Sequence, residues 1–301
     1  IDRISEALAS GDLSPLMAVA VVMVIVALGF KVAAAPFHLW APDAYQGAPA
    51  PSAVLVASGS KLAAVVLFYR LLWPGMYPLS GSASDFADVR AGWQPVVLVV
   101  AVVAMALGNI AALAQRNVRR LLAYSAIAHA GVLLLALAVA GPLGAAGLYY
   151  YALTYGLAVL GAFGVIAVLE RHGTCQTLDD LAGLSRRSPF LAWCLFVFVL
   201  SLAGIPPLAG FFAKFNVFVL ALRLGGLGGP LGWTALLAIA LSVVGLYYYL
   251  IILKYAFVVS AAGSSEPERV RPGVGAAVAL VLAAVGSVLL GVMPSLVFDA
   301  F

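Results

Sequence analysis

Hydrophobic positions along this chain fall in long runs, separated by short polar stretches. Runs longer than about 18 residues recur over nearly the whole length, each able to cross ~30 Å of hydrocarbon as a helix. Strict two-residue alternation is absent, which argues against a lipid-embedded β-barrel. The pattern predicts an all-α polytopic membrane protein with about eight spanning units. The first runs from about Pro15 through Lys31, is interrupted at Ala35-Pro36-Phe37-His38 and continues to about Gln46. Continuous spans follow at Pro51–Trp73, Pro95–Gln115, Val118–Ala140 and Leu143–Glu170. The sixth unit, from Pro189 to about Leu222, is too long for one straight crossing and is broken at Gly204-Ile205-Pro206-Pro207. Trp233–Phe257 and Gly273–Val297 complete the set.

Composition agrees with this reading: 64% of the 301 residues are hydrophobic and 9% are charged, against about 25% charged in soluble domains. Ile1 to Pro15 is too polar for a secretory signal, and the chain reads as a fragment whose earlier helices are missing. Cys175 sits in a predicted loop and Cys194 in a span, which suggests neither a disulfide framework nor a CxxC metal site. Three histidines supply few ligands for a metal cluster. The net charge of +4 is spread among loops, a distribution that fits membrane topology and not nucleic-acid binding.

The basic residues give an orientation. One side collects Arg116, Arg119, Arg120, Arg171, Arg186, Arg187, Lys254, Arg269 and Arg271; the other holds Arg3, Arg70, Arg90 and Arg223. This bias places the first side in the cytoplasm. Both ends of the fragment then face outward, as an even number of spans requires. The two broken units are crossed in opposite directions, which suggests an inverted repeat with a central ion site.

Three of the four lysines lie inside hydrophobic spans. Lys61 stands 12 residues before Trp73, about 18 Å of helix, too far for snorkelling to the interface. A charge at the bilayer centre costs at least ~2.5 kcal/mol on insertion scales. Burial disfavours the ammonium form, so such a lysine can titrate near physiological pH, the property a proton relay needs. The competing reading is a lysine paired with an acid purely for packing. Lys31 lies five residues before Pro36, and Lys214 seven residues after Pro207. Irregular backbone at membrane depth is tolerated where protein or a water-filled cavity satisfies it. A lysine beside such a break is placed to exchange protons, or else is an interfacial snorkeller. Lys254, near the end of its span, reads as a snorkeller.

No Asp or Glu occupies the middle of any span, so the central lysines lack an evident counter-charge; Asp43 lies closer to the interface. His129 is the only histidine well inside a span. Its ordinary pKa suits a shuttle between lysines, and a neutral histidine bonded to a neighbouring helix explains it equally. His38, at the first break, is a candidate relay or a cap for freed carbonyls. Pro36, Pro206 and Pro207 are candidate gating positions. The run Tyr149-Tyr150-Tyr151 reads as an interfacial belt in preference to a quinone site.

Longer motifs carry a resemblance. Phe30-Lys31 followed by Pro36-Phe37-His38-Leu39-Trp40-Ala41-Pro42-Asp43-Ala44-Tyr45-Gln46-Gly47-Ala48-Pro49-Ala50-Pro51 resembles the antiporter-like membrane subunits of respiratory complex I, the NADH:quinone oxidoreductase. So does Ala203-Gly204-Ile205-Pro206-Pro207-Leu208-Ala209-Gly210-Phe211-Phe212-Ala213-Lys214. Multisubunit cation/proton antiporters share these elements. Ser60-Lys61-Leu62-Ala63-Ala64 and the stretch from Arg119 to Gly131 look N-type.

The resemblance implies an antiporter-like inverted-repeat bundle, with residues 1–301 a single membrane domain matching helices seven to fourteen of the family's fourteen. Lys31, Lys61 and Lys214 match the lysines of the broken seventh, the eighth and the broken twelfth helix. The glutamate that the family pairs with its seventh-helix lysine lies on a fifth helix, outside this chain. It further implies a proton-translocating subunit of NADH:quinone oxidoreductase with a path through Lys31, Lys61, His129 and Lys214. No cofactor is expected in this chain; FMN, iron–sulfur clusters and quinone belong to other subunits. Expected partners are M-, K-, A- and J-type membrane subunits and the lipid bilayer, in a bacterial inner membrane. A cation/proton antiporter without redox coupling, and a scaffold whose lysines only organise packing, are the competing classes.

Overall fold

The computed structural model describes residues 5, 6, 8, 15–141, 145–173, 175–260 and 269–298. Arg3 and Leu143, used in the sequence reading, lie outside these. Ten helices carry the architecture: α1 Pro15–Lys31, α2 Trp40–Gly47, α3 Ala50–Gly75, α4 Trp93–Leu113, α5 Val118–Ala140, α6 Ala145–Glu170, α7 Pro189–Ala203, α8 Ala209–Gly225, α9 Pro230–Phe257 and α10 Val274–Val292. Six of them (α3, α4, α5, α6, α9 and α10) are long and apolar enough to cross a membrane. The other four make two interrupted units, α1 with α2 and α7 with α8, whose apolar halves α1 and α7 each fall short of that length.

Local chemistry sets the boundaries. Asn117 caps α5, its side-chain oxygen accepting from the Arg120 backbone N–H at 3.0 Å. Pro189 and Pro230 open α7 and α9, where the missing N–H has no intrahelical partner to lose. Gly204, at φ +85°, ends α7 in the left-handed conformation that side chains resist. Of the predicted edges that move, three sit at prolines. Helix α3 continues past Trp73 because a π-turn over Leu71–Gly75 accommodates Pro74 inside the helix. Helix α4 begins at Trp93, with Pro95 in its first turn, where a proline is tolerated. Helix α10 stops at Val292, before Pro294, and the short helix Ser295–Phe298 is separate.

Helix α5 is the centre of the bundle. Its apolar window is 94% buried, against 22% for the edge helix α10. It touches α2, α3, α4, α6, α8 and α9. A helix buried all round needs no amphipathic stripe, which fits the apolar residues on every side of it. Small residues permit the closest approach: a Cβ on Gly108 of α4 would stand 2.5 Å from the Ala128 backbone nitrogen of α5. Two polar side chains in the inner turns of α5, Ser125 and His129, are therefore held at the middle of the protein.

Candidate functional site

The second helix break explains the placement of Lys214. In an unbroken helix the carbonyls of Leu202 and Ala203 accept from the backbone N–H four residues on. Those positions are Pro206 and Pro207, which have no N–H. The Lys214 ammonium occupies the vacated role, donating to the Leu202 carbonyl at 2.9 Å and the Ala203 carbonyl at 3.0 Å. A partly buried cation is thus held by backbone dipoles created by the break.

Lys61 is 2% exposed and follows directly on a π-turn over Val56–Ser60 in α3, the kind of irregularity that re-aims a side chain. Its ammonium donates to the Ala126 carbonyl of α5 at 2.7 Å and lies 5.2 Å from the ring centre of Tyr155. A ring face stabilises the charged form of an amine by its quadrupole. No carboxylate is involved: among the described residues the ion pairs are Arg90–Asp88, Arg119–Glu170 and Arg120–Asp43, and none includes a lysine.

His129 lies one turn beyond Ala126, on the same face of α5. Its Nδ1 is 2.8 Å from the Tyr151 hydroxyl and its Nε2 is 3.2 Å from the Tyr249 hydroxyl. The Tyr155 ring centre is 5.1 Å from the imidazole. Tyr249 also shares a short hydrogen bond with Ser125, and Tyr248 donates to Asn109 at 3.0 Å. Two small cavities meet at His129. One, about 10 Å³, is lined by Tyr151, Thr154, Tyr155 and Ser201. The other, about 20 Å³, is lined by Asn109, Lys214, Tyr248 and Tyr249, and one water needs roughly 10–15 Å³ on the same measure.

The interfacial-belt reading of Tyr149-Tyr150-Tyr151 is corrected by this geometry. Tyr150 and Tyr151 are buried, and Tyr151 bonds His129. Tyr155, Tyr248, Tyr249 and Ser125 carry no role in the sequence reading, and Tyr151 only that of a belt residue. Their spacing carried a signal: Tyr151 and Tyr155 stand four residues apart on one helical face, and Ser125 lies four before His129.

The first break behaves differently. Lys31 is exposed, as is Pro36, and Lys31 has no carboxylate partner among the described residues. The structure therefore brings together Lys61, His129 and Lys214 but does not join Lys31 to them. His38 is 5% exposed and its Nδ1 is buried without a hydrogen-bond partner. Pro206 and Pro207 are exposed at their break. Asp43 pairs with Arg120 at 2.6 Å, away from the lysines. Arg119 lies beside it, 6% exposed, and donates to the carbonyls of Gln46 and Ala48 at 3.1 and 2.7 Å and to Glu170. These two arginines fasten the end of α2 to the start of α5. In the loop beyond α6, burial pushes the Cys175 thiol up to about 12, with Asp180 and Glu170 adding to the effect. Burial of Asp180 is outweighed by donation from Thr177 and Gln176 and by the nearby positive charge of Arg187, which together hold its carboxyl below the usual range.

The interior thus carries exchangeable N–H and O–H groups from Lys61 to Lys214, interleaved with space for water. The described residues hold no group of three or more His, Cys, Asp or Glu able to hold a metal. Residues 1–242 match the family described as NADH:quinone oxidoreductase/Mrp antiporter, transmembrane. A relative in Acidobacterium capsulatum, named NADH-quinone oxidoreductase subunit N 2, is 53% identical over 98% of this chain and 59% of its own length. The subunit N of Laribacter hongkongensis is 38% identical over 97% of this chain and 57% of its own. A chain of respiratory complex I from Thermus thermophilus, solved with bound aureothin, superposes with a TM-score of 0.78 at 37% identity, covering 96% of this chain and 60% of that one. The Mrp complex of Dietzia shares the fold, with a TM-score of 0.80 at 24% identity over 96% of this chain and 58% of that chain. The chain spans about three-fifths of the length of these relatives. It belongs to the NADH:quinone oxidoreductase/Mrp antiporter membrane family.

Proposed function

We propose that this member of the family is the proton-translocating part of an N-type subunit of a bacterial NADH:quinone oxidoreductase, carried in the inner membrane. The observation that carries the reading is the interior line of buried Lys61 and His129 and half-buried Lys214, with lysines held by carbonyls and a ring face and not by carboxylates. An ammonium paired with a carboxylate is fixed in its charged form, whereas one held by neutral dipoles can give up its proton at smaller cost. Quinone reduction in neighbouring subunits changes the charges around the line and moves a proton along it. Lys31 is the entry group, served by the family's glutamate on an earlier helix. His38 with Pro36, and Pro206 with Pro207, gate the two broken units, which correspond to the seventh and twelfth helices of a fourteen-helix whole. FMN, iron–sulfur clusters and quinone sit in other subunits, and the membrane neighbours are M-, K-, A- and J-type.

The names of the relatives favour redox coupling over a free-standing cation/proton antiporter. The test is transport in inverted membrane vesicles. Proton uptake driven by NADH and abolished when the gene for this subunit is deleted supports the reading. Proton exchange driven by a sodium gradient, indifferent to NADH, refutes it.

A further inference from the structure

We propose that Tyr151 and Tyr249 are proton-path residues that hand a proton to and from the two ring nitrogens of His129, making this imidazole the link between two separate cavities. The inference rests on the proton-path reading above. His129 is the one residue that lines both cavities: Tyr151 stands in the wall of the first, beside the Tyr155 ring that covers Lys61, and Tyr249 stands with Lys214 in the wall of the second. Passage between them therefore runs through the imidazole.

The choice of partners favours conduction over a static bridge. A carbonyl only accepts, so a tyrosine bonded to one is fixed as a donor; Tyr150, which donates to the Leu290 carbonyl at 2.8 Å, is of this kind. Tyr151 and Tyr249 instead face ring nitrogens, and each hydroxyl can donate or accept according to the tautomer. Either tautomer of His129 is fully satisfied by rotation of two hydroxyls. Ser125 gives Tyr249 a second exchangeable partner, one residue from the carbonyl that holds Lys61.

One passage balances as follows. The Tyr151 oxygen takes a proton from its cavity and gives its own to Nδ1. The Nε2 proton moves to the Tyr249 oxygen, whose own proton leaves toward the cavity shared with Lys214. Both oxygens exchange one O–H bond for another, Nδ1 gains what Nε2 gives up, and no electrons or net charge are transferred to the trio. The reverse sequence returns the starting tautomer and carries a proton the other way.

The experiment uses the assembled complex in inverted vesicles, comparing Tyr151→Phe, Tyr249→Phe, Tyr150→Phe and Lys61→Ala. Each Tyr→Phe change keeps the ring and removes one hydroxyl. Loss of a proton-transfer group reduces rate by about a hundredfold or more in favourable sites. NADH-driven proton uptake per complex is expected to fall at least about tenfold in Tyr151→Phe and Tyr249→Phe, with an enlarged solvent deuterium isotope effect. Tyr150→Phe is expected to pump like the unaltered protein. The isotope effect separates proton transfer from loosened packing, and either of the two path variants decides alone if the other fails to assemble. Unaltered pumping in Tyr151→Phe or Tyr249→Phe, while Lys61→Ala stops it, overturns the tyrosine inference and leaves the lysine path standing. Unaltered pumping in Lys61→Ala overturns the lysine path itself.

Discussion

If the Lys214 ammonium stands in for two missing amide donors, its loss and the loss of a proline must be energetically coupled. In Lys214→Met the carbonyls of Leu202 and Ala203 lose their donor, because Pro206 and Pro207 have no N–H to offer. Each buried carbonyl left unpaired costs about 1–3 kcal/mol, or roughly 2–6 kcal/mol for the pair. Removing a charge from the membrane interior returns at least ~2.5 kcal/mol on insertion scales, so the single variant alone is a weak test. Pro207→Ala restores one N–H to the break, a donor the Ala203 carbonyl takes up where the chain winds on as helix. Beside Lys214 that donor is redundant; in Lys214→Met it is worth about 1 kcal/mol. The four-membered cycle cancels the intrinsic helix preference of alanine over proline and isolates this difference. The assay is the midpoint of disassembly of the solubilised complex in graded denaturing detergent, for all four proteins. A stabilising coupling near ~1 kcal/mol supports the arrangement; additivity within about 0.3–0.5 kcal/mol refutes it.

Other consequences are as direct. Arg119→Ala strips Glu170 and two carbonyls at the end of α2 of their donor, and a hydrogen bond to a charged group is worth about 1.5–3 kcal/mol; a lowered yield of assembled complex on native gels is expected, only partly restored by Arg119→Lys. Cys175, buried and with its thiol pushed up to about 12, is expected to resist maleimide at pH 8 in the folded protein and to react on denaturation. The Asp180 carboxyl is held low in the folded state, so its contribution is present above the unfolded carboxylate pKa and lost as pH falls through the folded value. Asp180→Asn is therefore expected to lower the melting midpoint at pH 7, with the gap closing as pH falls below about 4.

How much of this was legible in sequence depends on how the information is carried. Span lengths and breaks are linear signals: Val118–Ala140 appears in the structure with the bounds its hydropathy predicted, and both breaks sit at the prolines that cause them. Lys61 stood out because a lone cation in apolar sequence is rare. Its ligand did not, since a carbonyl such as that of Ala126 belongs to every residue and has no signature. A carboxylate is the counter-charge a sequence displays, whereas backbone dipoles and an aromatic face hold this ammonium. Tyrosine is ambiguous for a related reason. Its amphipathic ring suits an interface or a buried hydroxyl network equally, and the side of the helix it occupies is settled only when α6 and α9 pack against α5. Lys31 marks the opposite limit: its resemblance is clear, yet these residues alone leave it exposed and apart from the other three.

The most direct test of the central claim is NADH-driven proton translocation, measured alongside NADH:quinone turnover, in membranes carrying Lys61→Ala and shown to contain assembled complex. The account predicts loss of pumping, alone or together with turnover. Unchanged rates and stoichiometry would contradict it, leaving Lys61 as a packing residue bonded to the Ala126 carbonyl.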